Sequence, residues 1–475
     1  MVTPARALVV KGLFWYLGLL VVGIGIVIYV LKIGSQFTVS QALPVAATRP
    51  PPSSFNPDVL FHVLLTLAAV ILVGTFAARI CGRLRQPPVI GEIVAGIALG
   101  PSLLGAIFPE AMYWLIPSKD HDPTASVATS LKAIAQLGII LYMFLVGLEL
   151  NATQLKQRAR AAVAISHASI VVPFVLGSLL SLWLFPIVSD NAVPFVPFSL
   201  FIGVAMSITA FPVLARILTD RNLHHTPVGA VALSCAAADD VTAWCLLSLV
   251  VGVAKSDLES AAFVAVGTVA FIFGMLFLAR PLLARYSGTI DQHRRELPRH
   301  TIAGAYVLLL SAAAMTEWIG IHAIFGAFML GVTIPSDSRL ARDFQLKLKE
   351  PVSVLLLPAF FAYTGMRTEI GLLNDWSQWR VCLIIILVAT AGKFGGTLFA
   401  ARFAGESWRD AGILGMLMNT RGLMELIVLN IGLDLGIISP SLFAMMVIMA
   451  LATTLMTAPF LQILRNDDQQ TAVVK

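Results

Sequence analysis

Residues 227–254 read Pro227-Val-Gly-Ala-Val-Ala-Leu-Ser-Cys-Ala-Ala-Ala-Asp239-Asp240-Val-Thr-Ala-Trp244-Cys-Leu-Leu-Ser-Leu-Val-Val-Gly-Val-Ala254. The stretch is long enough to cross ~30 Å of hydrocarbon, which takes roughly 20 helical residues. Two carboxylates nevertheless stand near its middle. An ionisable side chain at the centre of a bilayer costs roughly 2.5–3.5 kcal/mol, so one kept there marks function. Apolar flanks on both sides argue against a solvated loop. Adjacent helical positions lie about 100° apart. One aspartate can therefore face a watery cavity while the other faces a neighbouring helix. Close carboxylates repel unless a cation sits between them, whether Lys, Arg, a metal ion or a proton.

The rest of the chain agrees with a membrane reading. Of 475 residues only 12% are charged and 58% are apolar, and the mean hydropathy is +0.87. Soluble domains carry about twice that charge, roughly 25%. An ordinary soluble enzyme and a nucleic-acid binder are excluded, and an all-α polytopic membrane protein is expected. Apolar segments fall at 8–32, 58–80, 88–107, 127–149, 160–185, 194–218, 227–254, 259–284, 300–316, 319–335, 350–367, 378–403, 409–433 and 438–464, fourteen in all. The pair 300–316 and 319–335 also reads as one bent hairpin. With the N-terminus inside, 23 Lys and Arg fall in one set of alternate loops and 7 in the other, leaving Lys393 and Arg421 within spans. Basic residues mark cytoplasmic loops. Both termini are expected in the cytoplasm, and the net charge of +6 is expected to meet anionic lipid.

The expected organisation is an extra N-terminal helix and Pro-rich linker over 1–57, a membrane domain over 58–464 and a short tail over 465–475. No soluble regulatory domain is expected. The four cysteines lie in apolar stretches and read as buried thiols, and His224 and His225 read as solvated loop residues. An internal repeat is visible: Gly91-Glu-Ile-Val-Ala-Gly96 aligns with Gly326-Ala-Phe-Met-Leu-Gly331, and Phe144-Leu-Val-Gly147 with Ala362-Tyr-Thr-Gly365. The copies start on opposite sides of the membrane, as inverted transporter repeats do. Glycine spacing of this kind also serves close helix packing.

Other charges inside spans narrow the chemistry. Lys393, in Thr390-Ala-Gly-Lys-Phe-Gly-Gly396, needs a carboxylate partner, and Asp239 is the natural one. Segment 194–218 carries Ser207-Ile-Thr-Ala-Phe-Pro212, and segment 409–433 carries Asn419-Thr-Arg-Gly-Leu-Met-Glu425. Both read as interrupted helices, whose freed backbone groups suit cation coordination. Arg421 and Glu425 can pair at i, i+4, and a structural role is favoured for Arg421. Glu92 reads equally as a cavity-mouth carboxylate or a helix-end residue. No activated nucleophile, zinc site or phosphate loop supports an enzyme.

These motifs together, with Gly91–Ser102, Phe144–Glu149, Ser207–Arg216, Ala238-Asp-Asp240, Gly392-Lys393 and Asn419–Leu426 in order over about 58–464, resemble the monovalent cation:proton antiporter superfamily. The likeness is to its second branch, with sodium/proton, Kef-type and plant cation/proton exchangers. The resemblance implies a sodium/proton-antiporter-like fold of thirteen spans, here plus one, with inverted repeats, two crossed unwound helices and a homodimer. It implies that Asp240 binds the monovalent cation (Na+ or K+) or a proton, that Asp239 pairs with Lys393, and that Thr209 approaches the ion. Asn419, Arg421 and Glu425 match the second crossing helix. The extra helix is expected to add to the dimer interface. No cofactor is implied, and the setting is expected to be a bacterial inner membrane. The double aspartate suggests two protons per cation, hence electrogenic exchange. A proton- or sodium-coupled transporter of an organic solute is the alternative, and a passive cation channel a third class.

Overall fold

The computed structural model describes residues 18, 20–33, 59–84, 86–116, 127–149, 159–189, 193–221, 223, 226–254, 258–293 and 297–473. The linker 34–58, His224 and His225 lie outside the described residues. The described residues are all helical with loops. We label Leu20–Ile33 α1, Val59–Arg83 α2, Pro88–Leu99 α3, Val127–Glu149 α4 and Ala159–Val188 α5. Next come α6 (Phe195–Ser207), α7 (Phe211–Asp220), α8 (Pro227–Ala254), α9 (Leu258–Phe273) and α10 (Arg280–His293). The chain continues through α11 (Arg299–Ile319), α12 (Ala323–Thr333), α13 (Arg339–Pro351), α14 (Leu357–Met366) and α15 (Trp376–Thr390). It closes with α16 (Gly396–Phe403), α17 (Trp408–Met418), α18 (Leu423–Asp434) and α19 (Pro440–Val473).

Among the described residues, nine helical segments are long and apolar enough to cross a membrane. The pair α17 and α18, bent by 42°, makes a tenth. Two of the apolar segments hold shorter helices, α6 and α12, and α1 is described over Leu20–Ile33. Segment 194–218 is cut by the non-helical residues 208–210, and segment 409–433 by a break between Met418 and Leu423. These are the two segments whose polar interruptions stand out in the sequence. The free cysteines Cys235 and Cys382 are buried, and Cys81 and Cys245 half-buried.

Glycine decides how closely the helices approach. A Cβ on Gly91 would fall 2.5 Å from the carbonyl carbon of Ala77 in α2, and one on Gly326 2.6 Å from the carbonyl carbon of Ala312 in α11. The aligned glycines then pair crosswise. Gly96 of α3 lies against Phe361 and Ala362 of α14, where its Cβ would come 2.7 Å from Ala362 Cα, and Gly365 of α14 lies against Gly96 and Ile97. Gly147 of α4 and Gly331 of α12 face each other, each built Cβ falling 2.9 Å from the other's Cα. Backbone cannot yield as a side-chain tip can. Gly147→Val is therefore expected to cost about 1–3 kcal/mol through overpacking, read as a lower apparent melting temperature in detergent.

A second group of helices, α5 to α8 and α15 to α19 with their junctions, carries the buried charged residues Asp239, Asp240, Lys393, Arg421 and Glu425. Gly392 and Gly396 bring the α15–α16 unit onto α5, their built Cβ atoms falling 2.9 Å from Pro173 Cα and from Val172 Cβ. The junction Ala391–Gly395 is a π-helical stretch, a distortion frequent at functional sites, and it holds Lys393. The described part of α1 packs its Gly23 beside Val171 and Val175 of α5, and Val30 is fully buried.

Candidate functional site

Burying charge in this fold requires partners, and the structure assigns them unevenly. Asp239 is 1% exposed and Lys393 fully buried. Lys393 Nζ stands 3.0 Å from Asp239 Oδ2 and also donates to the carbonyl of Ser207. Asp239 receives more donors: Thr209 Oγ1 at 2.8 Å, Ser166 Oγ at 2.6 Å and Ser169 Oγ at 2.9 Å. An ionised carboxylate can only accept, and these groups satisfy both of its oxygens.

Asp240 is the opposite case. It is 1% exposed, yet neither carboxylate oxygen has a hydrogen-bond partner among the described residues. Neighbouring positions on α8 point about 100° apart, so the two acids meet different surroundings. A buried carboxylate without partners is costly, and a bound cation or proton would relieve that cost.

The two helix breaks meet beside these acids. Ala210 N donates to Thr420 O at 3.0 Å, and Thr209 Oγ1 lies 3.2 Å from Met418 O. The first break ends α6 in the protein interior, leaving carbonyls that no helical turn satisfies. Two cations cover them. Arg421 donates through Nη1 to Ala205 O at 2.8 Å and through Nη2 to Met206 O at 2.7 Å. Lys393 takes Ser207 O. Cations at a helix C-terminus also oppose its partial negative charge.

The second break is held from α19. Thr454 Oγ1 accepts from Arg421 N at 3.0 Å and donates to Arg421 O at 2.6 Å. Arg421 Nη1 pairs with Glu425 Oε2 at 3.0 Å, both side chains fully buried. Glu425 Oε1 and both amide atoms of Asn419 have no hydrogen-bond partner among the described residues. Asn419 is fully buried, so open polar valences concentrate on Asp240, Asn419 and Glu425.

The structure thus brings Asp239, Thr209 and Lys393 into direct contact, and pairs Arg421 with Glu425. Glu92 stands apart from them on α3, half-buried, where the charge of Arg216 at α7 reaches it. Sequence reasoning missed Ser166 and Ser169. Their i, i+3 spacing puts both hydroxyls on one helix face, and that spacing in an apolar helix was the available signal. Thr454 was missed as well.

An apolar helical bundle around paired charges and two facing helix breaks defines a membrane transporter. The chain belongs to the family described as sodium/hydrogen exchanger, transmembrane, whose profile matches residues 67–463. It is 44% identical over 404 residues to the Na(+)/H(+) antiporter NhaS4 of Synechocystis sp. (strain ATCC 27184 / PCC 6803 / Kazusa), covering 84% of this chain and 97% of that protein. Cation/H(+) antiporter 17 of Arabidopsis thaliana is 39% identical over 84% of this chain and 47% of its own length. K(+)/H(+) antiporter 1 of Saccharomyces cerevisiae (strain ATCC 204508 / S288c) is 32% identical over 89% and 48%. The chain thus spans about half the length of these plant and yeast relatives. Among solved structures, the sodium proton antiporter MjNhaP1 from Methanocaldococcus jannaschii at pH 8 shares the fold, with a TM-score of 0.62 at 16% identity, covering 86% of this chain and 98% of that one. The relatives are antiporters, transporters and not enzymes.

Proposed function

We propose that the chain exchanges a monovalent cation, Na+ or K+, for protons by alternating access at Asp240. The carrying observation is the contrast between the two acids. Asp239 is satisfied by Lys393, Thr209, Ser166 and Ser169, whereas both oxygens of Asp240 are open. One carboxylate cannot hold a cation and a proton together, so competition between them is sufficient for exchange. Asp240 binds the metal cation when ionised and releases it when protonated. Thr209 and Asn419 border the ion, Lys393 neutralises Asp239, and Arg421 with Glu425 supports the crossing of the two interrupted helices.

The finer architecture belongs to the same proposal. The fourteen segments cross the membrane, α6–α7 and α17–α18 as the crossed, unwound pair. The crosswise glycine contacts, Gly96 with Gly365 and Gly331 with Gly147, support inverted repeats, since a two-fold relation between copies exchanges one contact for the other. The loop charges support cytoplasmic termini, with the protein in a bacterial inner membrane as a homodimer surrounded by lipid. The domain division at 57 and 464 and the absence of a cofactor complete the reading. Transport of an organic solute is not favoured by relatives that are all cation or proton exchangers.

Reconstituted vesicles with a proton-sensitive dye test the function. Addition of Na+ or K+ is expected to collapse an imposed pH gradient, and the ion giving the larger response identifies the substrate. No response to Na+, K+ or Li+ at any pH would contradict the proposal. Two protons per cation make the cycle electrogenic, each net charge coupling to voltage by ~2.3 kcal/mol per 100 mV. A cation jump on a supported membrane is then expected to give a transient current. Exchange without any current would overturn the two-proton stoichiometry alone.

A further inference from the structure

The far end of α18 is tied by charge to the other group of helices. Asp434, its last residue, divides its carboxylate between two cations. Oδ2 stands 2.8 Å from Lys132 Nζ of α4, and Oδ1 stands 2.7 Å from Arg367 Nη2, just beyond α14. One turn earlier, Asn430 Oδ1 accepts from Arg367 Nη1 at 2.9 Å, and its Nδ2 donates to Thr364 Oγ1 at 2.9 Å. The Arg367 guanidinium lies over the Tyr363 ring, 5.4 Å from its centroid. Thus α18, whose first turn carries Glu425, is fastened to α4 and α14, which carry the crosswise glycines.

The fastening sits beside a cavity of about 120 Å³. Leu247 and Val251 of α8, Glu317 and His322 around the α11–α12 turn, and Ile431 and Leu435 line it. Trp244 also lines it, one turn along α8 from Asp240 and 2% exposed. Its ring packs near that of Phe325 of α12, with centroids 6.4 Å apart. Along α8 the lining runs from Val251 through Leu247 to Trp244, and so ends one turn short of Asp240.

We propose that Asp434 and Asn430 form an outer latch that holds this vestibule shut, and that opening the outer path requires its release. The inference rests on the alternating-access reading, in which α18 moves with the ion site while α4 and α14 stay behind. Exposure distinguishes a latch from a clamp. The side chains of Lys132, Asp434 and Arg367 are 35%, 34% and 23% exposed. Ion pairs at such sites are screened by water and individually weak, so they can break each cycle. The Arg421–Glu425 pair, fully buried, cannot part without stranding a charge.

A membrane-impermeant thiol reagent applied from outside to Leu247→Cys reads the latch without any transport. Labelling is measured against the parent chain, which keeps its own cysteines. Asp434→Asn is expected to speed labelling about fivefold, the factor set by weakened surface pairs, while Asp434→Glu keeps the slow rate. Raising the ionic strength is expected to speed labelling of Leu247→Cys but not of its Asp434→Asn derivative. Arg367→Gln provides a second release variant, with the same direction expected. Equal labelling rates in all these backgrounds would overturn the latch. A parent protein without cation-driven proton flux would instead overturn the exchange reading, leaving the labelling comparison intact.

Discussion

Asp240→Asn is expected to reduce cation-driven proton flux to the level of empty vesicles while the protein stays folded. Asn is nearly isosteric and neutral. It leaves Asp239, Lys393 and their hydroxyl partners in place. No partner is lost either, since neither Asp240 oxygen has one among the described residues. What disappears is the carboxylate of the site that has no basic partner among the described residues, Asp239 being paired with Lys393 and Glu425 with Arg421. Apparent melting temperature is expected to hold or rise, because a partnerless buried carboxylate is a burden that Asn relieves in part. A passive channel would behave differently, since its flux would survive the substitution. Persisting coupled flux in Asp240→Asn would mean that another group carries the exchange.

Arg421→Ala is expected to damage the fold more than any other single change in the site. The guanidinium covers Ala205 O and Met206 O and pairs with Glu425. Its removal strands a fully buried carboxylate and two helix-end carbonyls far from water. Breaking one partner of a buried pair costs about 3–5 kcal/mol, and the freed carbonyls add to that. The expected result is low yield in membranes or a sharply lower melting temperature in detergent. Glu425→Gln retains a hydrogen-bonding group beside Arg421 and is expected to cost less. Equal melting of Arg421→Ala and the parent would remove the capping role assigned to this residue.

Much of the site follows from scarcity of charge. Asp239, Asp240, Lys393, Arg421 and Glu425 stand out because hydrocarbon tolerates so few like them, and a lone lysine at that depth calls for an acid. What scarcity could not tell was that, with Lys393 on Asp239, both oxygens of the other aspartate would be left open among the described residues. Ser166 and Ser169 escaped notice because serine in an apolar helix usually bonds its own backbone, as Ser169 also does with Ser166 O, and only their i, i+3 spacing hints at a shared partner. The carbonyls of Ala205, Met206 and Ser207 carry no side-chain signature whatever. They matter only because α6 ends in the interior, where Arg421 and Lys393 from later helices reach it.

Fold legibility has the same shape. The apolar segments located helices, and the polar interruptions at Ser207–Pro212 and Asn419–Glu425 located the two breaks. Lengths were harder to read. A rule of roughly 20 residues per crossing suits α2, α4 and α8 but not the shorter α6 and α12. Glycine matches suggested a repeat, but their crosswise contacts depend on helices more than 180 residues apart in sequence order, as Gly147 and Gly331 are. Nor does the sequence announce that Gly23 of the N-terminal helix lies against Val171 and Val175 of α5.

The central claim is that one cation and one proton compete for Asp240. The most direct test is the cation concentration for half-maximal exchange, measured across a range of pH in vesicles. Competition at Asp240 predicts that this concentration rises at least about tenfold for each pH unit below the titration of the site, since one proton competes at that carboxylate itself, and a second proton displaced in the same step steepens the rise. It also predicts that saturating cation restores the maximal rate. An unchanged half-saturating concentration, with a maximal rate that falls on acidification and is not recovered by added cation, would contradict the account.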